Sequence, residues 1–174
     1  MDSISPVYAR LILRELEKRG IDSAPLLAGT AMDRHGLLLG GDIPMEDFLK
    51  ILRAADQLLG DVQLGFLLGR HMQVLAMGPI GVAIASAPNL RAGLQVLESY
   101  TRLHATYIDI AARSTLRGMT VAILYRHDTG YVERFHTETA MLLLQQYIET
   151  LIGDPITEAH FRVTIPRPAD REVY

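Results

Sequence analysis

Apolar side chains recur at helical spacing through roughly the first hundred residues of the chain. Between residues 5 and 19, Val7, Leu11 and Ile12 fall on one stripe, and charged side chains fall on the opposite side. This spacing predicts an amphipathic helix, and the glycine at position 20 predicts where it ends.

Further helical segments follow, separated by glycine and proline. Residues 21–30 predict a turn and a short helix, and residues 42–61 predict a second long helix with a stripe from Phe48 to Leu59. Residues 62–72 predict a third helical piece. Residues 77–104 then predict two helices that are broken at "AP", where the following asparagine can cap the second.

The apolar pattern changes from helical spacing to a period of two near residue 105. Residues 104–114 and 116–128 alternate apolar and polar side chains, which predicts two strands and a hairpin turn at Ser114–Leu116. A long helix is predicted over residues 132–155, apolar almost all round from Ala140 to Leu144, and "HFRVTIP" at residues 160–166 predicts a third strand.

The predicted fold class is therefore α+β, in a single domain over residues 1–174. An N-terminal helical bundle over residues 1–104 precedes a β-β-α-β unit over residues 105–174, whose small, mostly antiparallel sheet packs on helices. The unit would leave one edge of its sheet unpaired, so we expect this chain to be part of a longer protein.

Composition favours a packed domain and argues against several functions. The chain is 49% hydrophobic and 21% charged, with a mean hydropathy of +0.16 and no cysteine. A net charge of −3, without a cluster of lysine or arginine, argues against DNA binding by this chain alone. No apolar run approaches the ~20 residues of a membrane span, and the N-terminus lacks a signal peptide, so we expect a cytoplasmic protein with no membrane partner.

Four stretches of sequence, in a fixed order, carry a family resemblance. They are "LLAGTAMD", "IPMEDFLKILRAADQLLGDVQLGFLLGRHM", "MGPIGVAIASAPNLRAGLQVLESYTRL" and "HFRVTIPRPADREVY". Together they resemble the N-terminal effector-binding, arabinose-binding-like domain of AraC/XylS-type transcription regulators. The resemblance covers essentially the whole chain, and it rests on the order and spacing of these stretches.

The resemblance implies a regulatory sensor domain that binds a small-molecule effector of unidentified structure and forms a homodimer. DNA would be bound only through a C-terminal pair of helix-turn-helix motifs, before which we expect this chain to stop. A stand-alone small-molecule or heme sensor and a pure dimerisation module are the alternatives.

Catalytic and metal-binding motifs do not stand out in the sequence. The six histidines show no recognised ligand spacing, and neither a nucleophile elbow nor a phosphate loop is present. We therefore predict a protein that is not an enzyme and has no metal or cofactor.

Polar side chains on otherwise apolar faces are the candidate effector ligands. Tyr100, His104, Tyr107 and Tyr125 lie where the predicted fifth helix meets the sheet, and Gln145 interrupts the long apolar helix. They could line an effector pocket. The alternative is that they are core residues whose polar atoms bond to the protein itself.

Overall fold

The computed structural model describes residues 2–60, 63–115 and 118–164 of the chain, which form a mixed helix and sheet structure. In this part of the chain the α-helices are α1 (Val7–Lys18), α2 (Arg34–Leu39), α3 (Met45–Leu59), α4 (Leu64–His71), α5 (Pro79–Ala85), α6 (Leu90–Tyr100) and α7 (Tyr131–Ile152). The strands are β1 (Ser3–Ile4), β2 (Ile43–Pro44), β3 (Ile108–Thr115) and β4 (Gly118–Tyr125). Short 3₁₀ turns lie at Ala24–Leu27, Val74–Met77 and Thr101–Leu103. The α+β class is confirmed.

The amphipathic helices form where the apolar stripes predict them. Helix α3 buries Phe48, Ile51, Leu52 and Ala55, so its predicted stripe is confirmed. Helix α6 begins at the predicted cap, because the Asn89 side chain accepts a hydrogen bond from the backbone of the first turn. None of the described helices is both long enough and apolar enough to cross a membrane.

A small sheet that the sequence analysis did not predict joins the N-terminus to the middle of the chain. Strand β1 pairs antiparallel with β2, and Ile4 also forms an isolated bridge with Ala105. Two residues per strand are too few to show a period of two, which is why no pattern revealed them. The predicted helical region over residues 1–104 therefore contains a short sheet.

The predicted hairpin is confirmed as the antiparallel pair β3–β4. Its register places Ile108 opposite Tyr125 and Ile110 opposite Ile123, so the predicted apolar face is shared by both strands. The predicted turn at Ser114–Leu116 is wrong at its start, because Ser114 and Thr115 are paired in β3 with Met119 and Gly118 of β4. Leu116 lies outside the described residues.

The predicted third strand is wrong at residues 160–164. These residues form no strand, and Phe161 and Val163 are 45% and 43% exposed. A strand needs a neighbouring ladder as well as an alternating sequence, and among the described residues no ladder reaches this segment. Residues 165 and 166 of the prediction lie outside the described residues, so the described part of the β-β-α-β unit is β-β-α.

Two hydrophobic cores lie side by side, and helix α7 contributes to both. The first core packs α1, α3 and α4 against the N-terminal half of α7, including Phe135. The second packs α5, α6 and the hairpin against the C-terminal half, including Tyr147. The placement of α7 therefore sets the relative position of the two cores.

Helix α4 approaches α7 closely through two glycines that are one turn apart. A Cβ atom on Gly65 would lie 2.6 Å from the Phe135 carbonyl oxygen, and one on Gly69 would lie 2.9 Å from Leu142 Cβ. The carbonyls of these buried glycines face polar side chains of α7. Gln146 Nε2 donates to the Gly69 carbonyl at 3.0 Å, and Thr139 Oγ1 donates to the carbonyls of Gly65 at 3.1 Å and Phe135 at 2.9 Å. Only glycine permits this approach.

We predict that Gly65→Ala lowers the free energy of unfolding by about 1–3 kcal/mol, because the added methyl group meets a backbone atom that cannot rotate away. This loss should occur although alanine favours a helix by about 1 kcal/mol over glycine. Denaturant unfolding measures the difference. Gly41→Ala is the matched control, because a Cβ there meets nothing within 4 Å. Equal stabilities of the two variants would contradict the close-packing account.

Candidate functional site

A cavity of about 70 Å³ lies between the two hydrophobic cores. Its apolar wall comes from both cores and both hairpin strands, and includes Met77, Ile84, Leu97, Val121, Ile123 and Leu144. Five polar side chains also line it: Tyr8, Thr101, His104, His136 and Tyr147. None of the lining residues that the structure describes is an aspartate, glutamate, lysine or arginine.

A buried histidine joins two tyrosines from distant parts of the chain. His136 on α7 lies with Nε2 3.2 Å from the Tyr8 hydroxyl of α1 and with Nδ1 2.8 Å from the Tyr107 hydroxyl, just before β3. Tyr8 and Tyr107 are almost completely buried. We call these three residues the Tyr-His-Tyr cluster. Tyr8 and His136 line the cavity, as does His104. We call the part of the wall formed by these three residues the polar corner.

Burial keeps the imidazoles at this corner neutral. Loss of solvation and, to a smaller extent, the neighbouring His104 together lower the pKa of His136 to about 3. Loss of solvation also lowers the pKa of His104 to about 4, against a smaller opposing effect of Asp42. Burial raises the phenol pKa values of Tyr8 and Tyr107 well above their ordinary range. All four groups are therefore uncharged near neutral pH.

The Tyr-His-Tyr cluster has one more hydrogen-bond donor than it can use internally. Two hydroxyl hydrogens and one ring N–H supply three donors, whereas only two hydrogen bonds join the three side chains. An O–H donating to Nδ1 fits the 2.8 Å distance, and a ring N–H donating from Nε2 fits the longer 3.2 Å distance. This assignment leaves the hydroxyl hydrogen of Tyr8 unused beside the cavity.

His104 adds a second polar atom without a partner. The residue is 8% exposed, and its Nε2 has no hydrogen-bond partner among residues 2–60, 63–115 and 118–164. Its backbone is fixed at both ends, because its N–H donates to the Thr101 carbonyl and its carbonyl accepts from the Ser5 N–H. The ring lies 5.6 Å from that of Tyr8, measured between centroids. His104 is thus held in place beside the spare donor.

Tyr147 lines the cavity from the second core. The side chain is 3% exposed, and its hydroxyl also lacks a partner in the described part of the chain. The hydroxyl packs directly over Gly93 of α6, where a Cβ would overlap it. Burial raises the pKa of this phenol, so it too is neutral.

The five residues proposed from sequence fall in different environments. His104 lines the cavity, and Tyr107 belongs to the Tyr-His-Tyr cluster behind it. The Tyr125 hydroxyl donates to the Glu133 carbonyl, as the core alternative expects. Tyr100 is 51% exposed, and Gln145 donates to the carboxylate one turn further along α7. Effector contact by any of the five stays a prediction.

Tyr8, His136 and Tyr147 were not identified as site residues from sequence. Tyr8 and His136 are 128 positions apart, so no local pattern could reveal their contact. The available signal was a histidine and a tyrosine within the long apolar helix. Among residues 2–60, 63–115 and 118–164, no group of three or more histidine, aspartate or glutamate side chains is placed to hold a metal ion.

The lowered histidine pKa values predict how stability depends on pH. Both rings are neutral when folded, whereas in the unfolded chain they take up protons below a pKa of about 6.5. The unfolded state therefore binds more protons as the pH falls below that value. The free energy of unfolding should decrease by up to about 1.4 kcal/mol per pH unit for each histidine. Denaturant unfolding between about pH 7 and pH 5 measures this slope.

A His136→Phe variant tests this origin of the slope. It should reduce the slope, and His160→Phe, at an exposed position, should leave it unchanged. Asp47 and Asp109 do not interfere, because hydrogen bonds from Lys50 and Arg102 lower the pKa of each carboxyl, and both titrate below this window. An unaltered slope in His136→Phe would show that the folded protein already protonates this ring.

Comparison with known proteins finds similarity to one domain family and to three transcription regulators. The model of the arabinose-binding domain of AraC transcription regulator, N-term, matches residues 20–174. The ornithine utilization regulator of Pseudomonas aeruginosa is 27% identical over 174 residues, covering 96% of this chain and 50% of that protein. Uncharacterized HTH-type transcriptional regulators of Mycobacterium bovis and Mycobacterium tuberculosis are each 27% identical over 139 residues, covering 76% of this chain and 40% of theirs.

The chain thus spans about half the length, or less, of the curated relatives that it matches. The family match begins at residue 20, just after α1, and includes every other described element that lines the cavity. It confirms the family that the four sequence stretches indicated. This chain belongs to the family of N-terminal arabinose-binding domains of AraC transcription regulators.

Proposed function

We propose that this domain is the effector-binding part of an AraC-type regulator and that its effector occupies the cavity between the two cores. The observation that carries the proposal is the position of His104 Nε2 and the spare donor of the Tyr-His-Tyr cluster, both beside this cavity. A buried polar atom without a partner costs about 1–3 kcal/mol. A bound effector would supply the missing partners.

The cavity is placed so that binding can act on the rest of the protein. Its walls belong to both cores, and α7 contributes to it from His136 in the first core to Tyr147 in the second. An effector larger than the cavity would move the α5–α6 layer relative to α1 and α7. An effector that binds the widened arrangement better shifts the population towards it, and no covalent chemistry takes place.

The relatives suggest which part of the whole protein would respond to this shift in conformational population. Their names describe transcription regulators, and this chain matches about half their length or less. The proposal therefore includes a C-terminal DNA-binding domain whose presentation changes when the effector binds. It also includes a cytoplasmic location. It further includes self-association of the regulator, since two DNA-binding domains would bind two DNA half-sites.

We predict that a thermal-shift screen of small metabolites identifies a ligand that stabilises the domain. A ligand at 100 times its Kd adds about 2.7 kcal/mol to the free energy of unfolding. Ala140→Leu should abolish the shift, because Ala140 lines the cavity and a larger side chain there fills it. A stabilising ligand that still binds Ala140→Leu with unchanged affinity would place the effector elsewhere.

Ala83→Leu is the matched control, because Ala83 is exposed on α5 and the same substitution there adds no volume to the cavity. It should leave the ligand-induced shift intact. In a regulator that carries this domain, Ala140→Leu should also remove the transcriptional response to the same ligand. A full response from that variant would contradict the proposal.

A further inference from the structure

We infer that the cavity selects an uncharged, mostly apolar ligand with one oxygen that accepts a hydrogen bond, such as a ketone, ester, lactone or alcohol. This inference rests on the proposed function and specifies the chemical class of the effector. The deciding groups are the hydroxyl of Tyr8, the Nε2 atom of His104 and the apolar wall.

The ligand must be uncharged because the described part of the wall has no group to pair with a charge. Its polar members are hydroxyls and the imidazoles of His104 and His136. Moving an ionised carboxylate or ammonium group into such surroundings is strongly unfavourable unless an opposite charge or several hydrogen bonds accompany it. Carboxylates, amines and zwitterionic amino acids should therefore be rejected.

The ligand needs an acceptor because the cluster has a hydrogen to donate. With Tyr107 donating to Nδ1 and Nε2 donating to Tyr8, the Tyr8 hydroxyl hydrogen has no acceptor in the residues that the structure describes. A carbonyl or hydroxyl oxygen in the cavity would accept it. A hydroxyl would also be able to pair with His104 Nε2, which can donate or accept according to its tautomer.

The rest of the ligand is apolar because the remaining wall of the cavity is formed by apolar side chains. Aliphatic side chains from α5, α6, α7 and both hairpin strands surround the space, including Ile84, Leu97 and Leu144. The cavity of about 70 Å³ is small. A compact ring or the end of a longer chain therefore enters it only with displacement of the wall, which is the widening that the proposed function invokes.

The test uses five-carbon rings that differ only in their polar group. Cyclopentanone, cyclopentanol, cyclopentane, cyclopentanecarboxylate and cyclopentylammonium are titrated into the methyl-labelled chain. Methyl resonances of Ile84, Leu97 and Leu144 report occupancy of the cavity. The ketone and the alcohol should shift these methyls and should bind at least about tenfold more tightly than either ion.

Variants of the two polar groups identify the contacts. Tyr8→Phe should weaken cyclopentanone binding about fivefold, the effect of one neutral hydrogen bond, and leave cyclopentane binding unchanged. Unchanged cyclopentane binding also shows that the variant is folded. Tyr100→Phe is the control, because it removes a hydroxyl from an exposed tyrosine. His104→Leu should weaken cyclopentanol binding, and His35→Leu, at an exposed position, should not.

The outcomes separate this inference from the proposed function. If either ion shifts the cavity methyls as strongly as the ketone, or if Tyr8→Phe leaves ketone binding unchanged, the chemical class is wrong and the effector site stands. If no probe shifts these methyls, the cavity holds solvent only, and both this inference and the proposed effector site are overturned.

Discussion

The close contact between α4 and α7 is the constraint on which the rest of the structure depends. Gly65 and Gly69 bring the two helices together, and Thr139 and Gln146 bond to their carbonyls. The bond from Gln146 satisfies a carbonyl in the last turn of α4, where carbonyls have no partner within the helix. Because α7 also packs in the second core, this contact fixes how far apart the two cores lie, and hence the width of the cavity.

The polar corner of the cavity differs from the α4–α7 contact in whether its polar atoms have hydrogen-bond partners within the protein. At the α4–α7 contact, the named glycine carbonyls have donors from α7. At the cavity, the Tyr-His-Tyr cluster retains an unused donor, and two further polar atoms have no protein partner in the described residues. Native cores contain few such atoms. Of the four in the described residues, the two that belong to His104 and Tyr147 line this cavity, which is why the effector is proposed to bind there.

The sequence predicted those elements whose pattern is local. The stripe of α3 and the alternation of β3 and β4 were sufficient, because burial of one face imposes a period on the sequence. The short sheet of β1 and β2 is held by pairing between distant segments and has no period. The pattern at residues 160–164 is that of a strand, but a ladder partner is a tertiary property that no single segment encodes.

The same distinction applies to the candidate site. His104 stood out because a polar residue on an apolar stripe is visible locally, whereas Tyr8 and His136 meet only in the folded chain. Gln146 interrupts the same helix as Gln145, yet its partner is the Gly69 carbonyl, and the need for that partner cannot be read without the glycine contact.

The bridge between β1 and the segment before β3 has a consequence for the order of folding. Ser5 donates to the His104 carbonyl, and Thr106 donates to the Ser3 carbonyl, so about a hundred residues of chain are closed into one loop. Contacts of such long range form late and slow the folding of a domain. During synthesis, the first strand therefore waits until its partner segment has emerged. The polar corner of the cavity is completed only then, so a change to the first five residues would reach the site through His104.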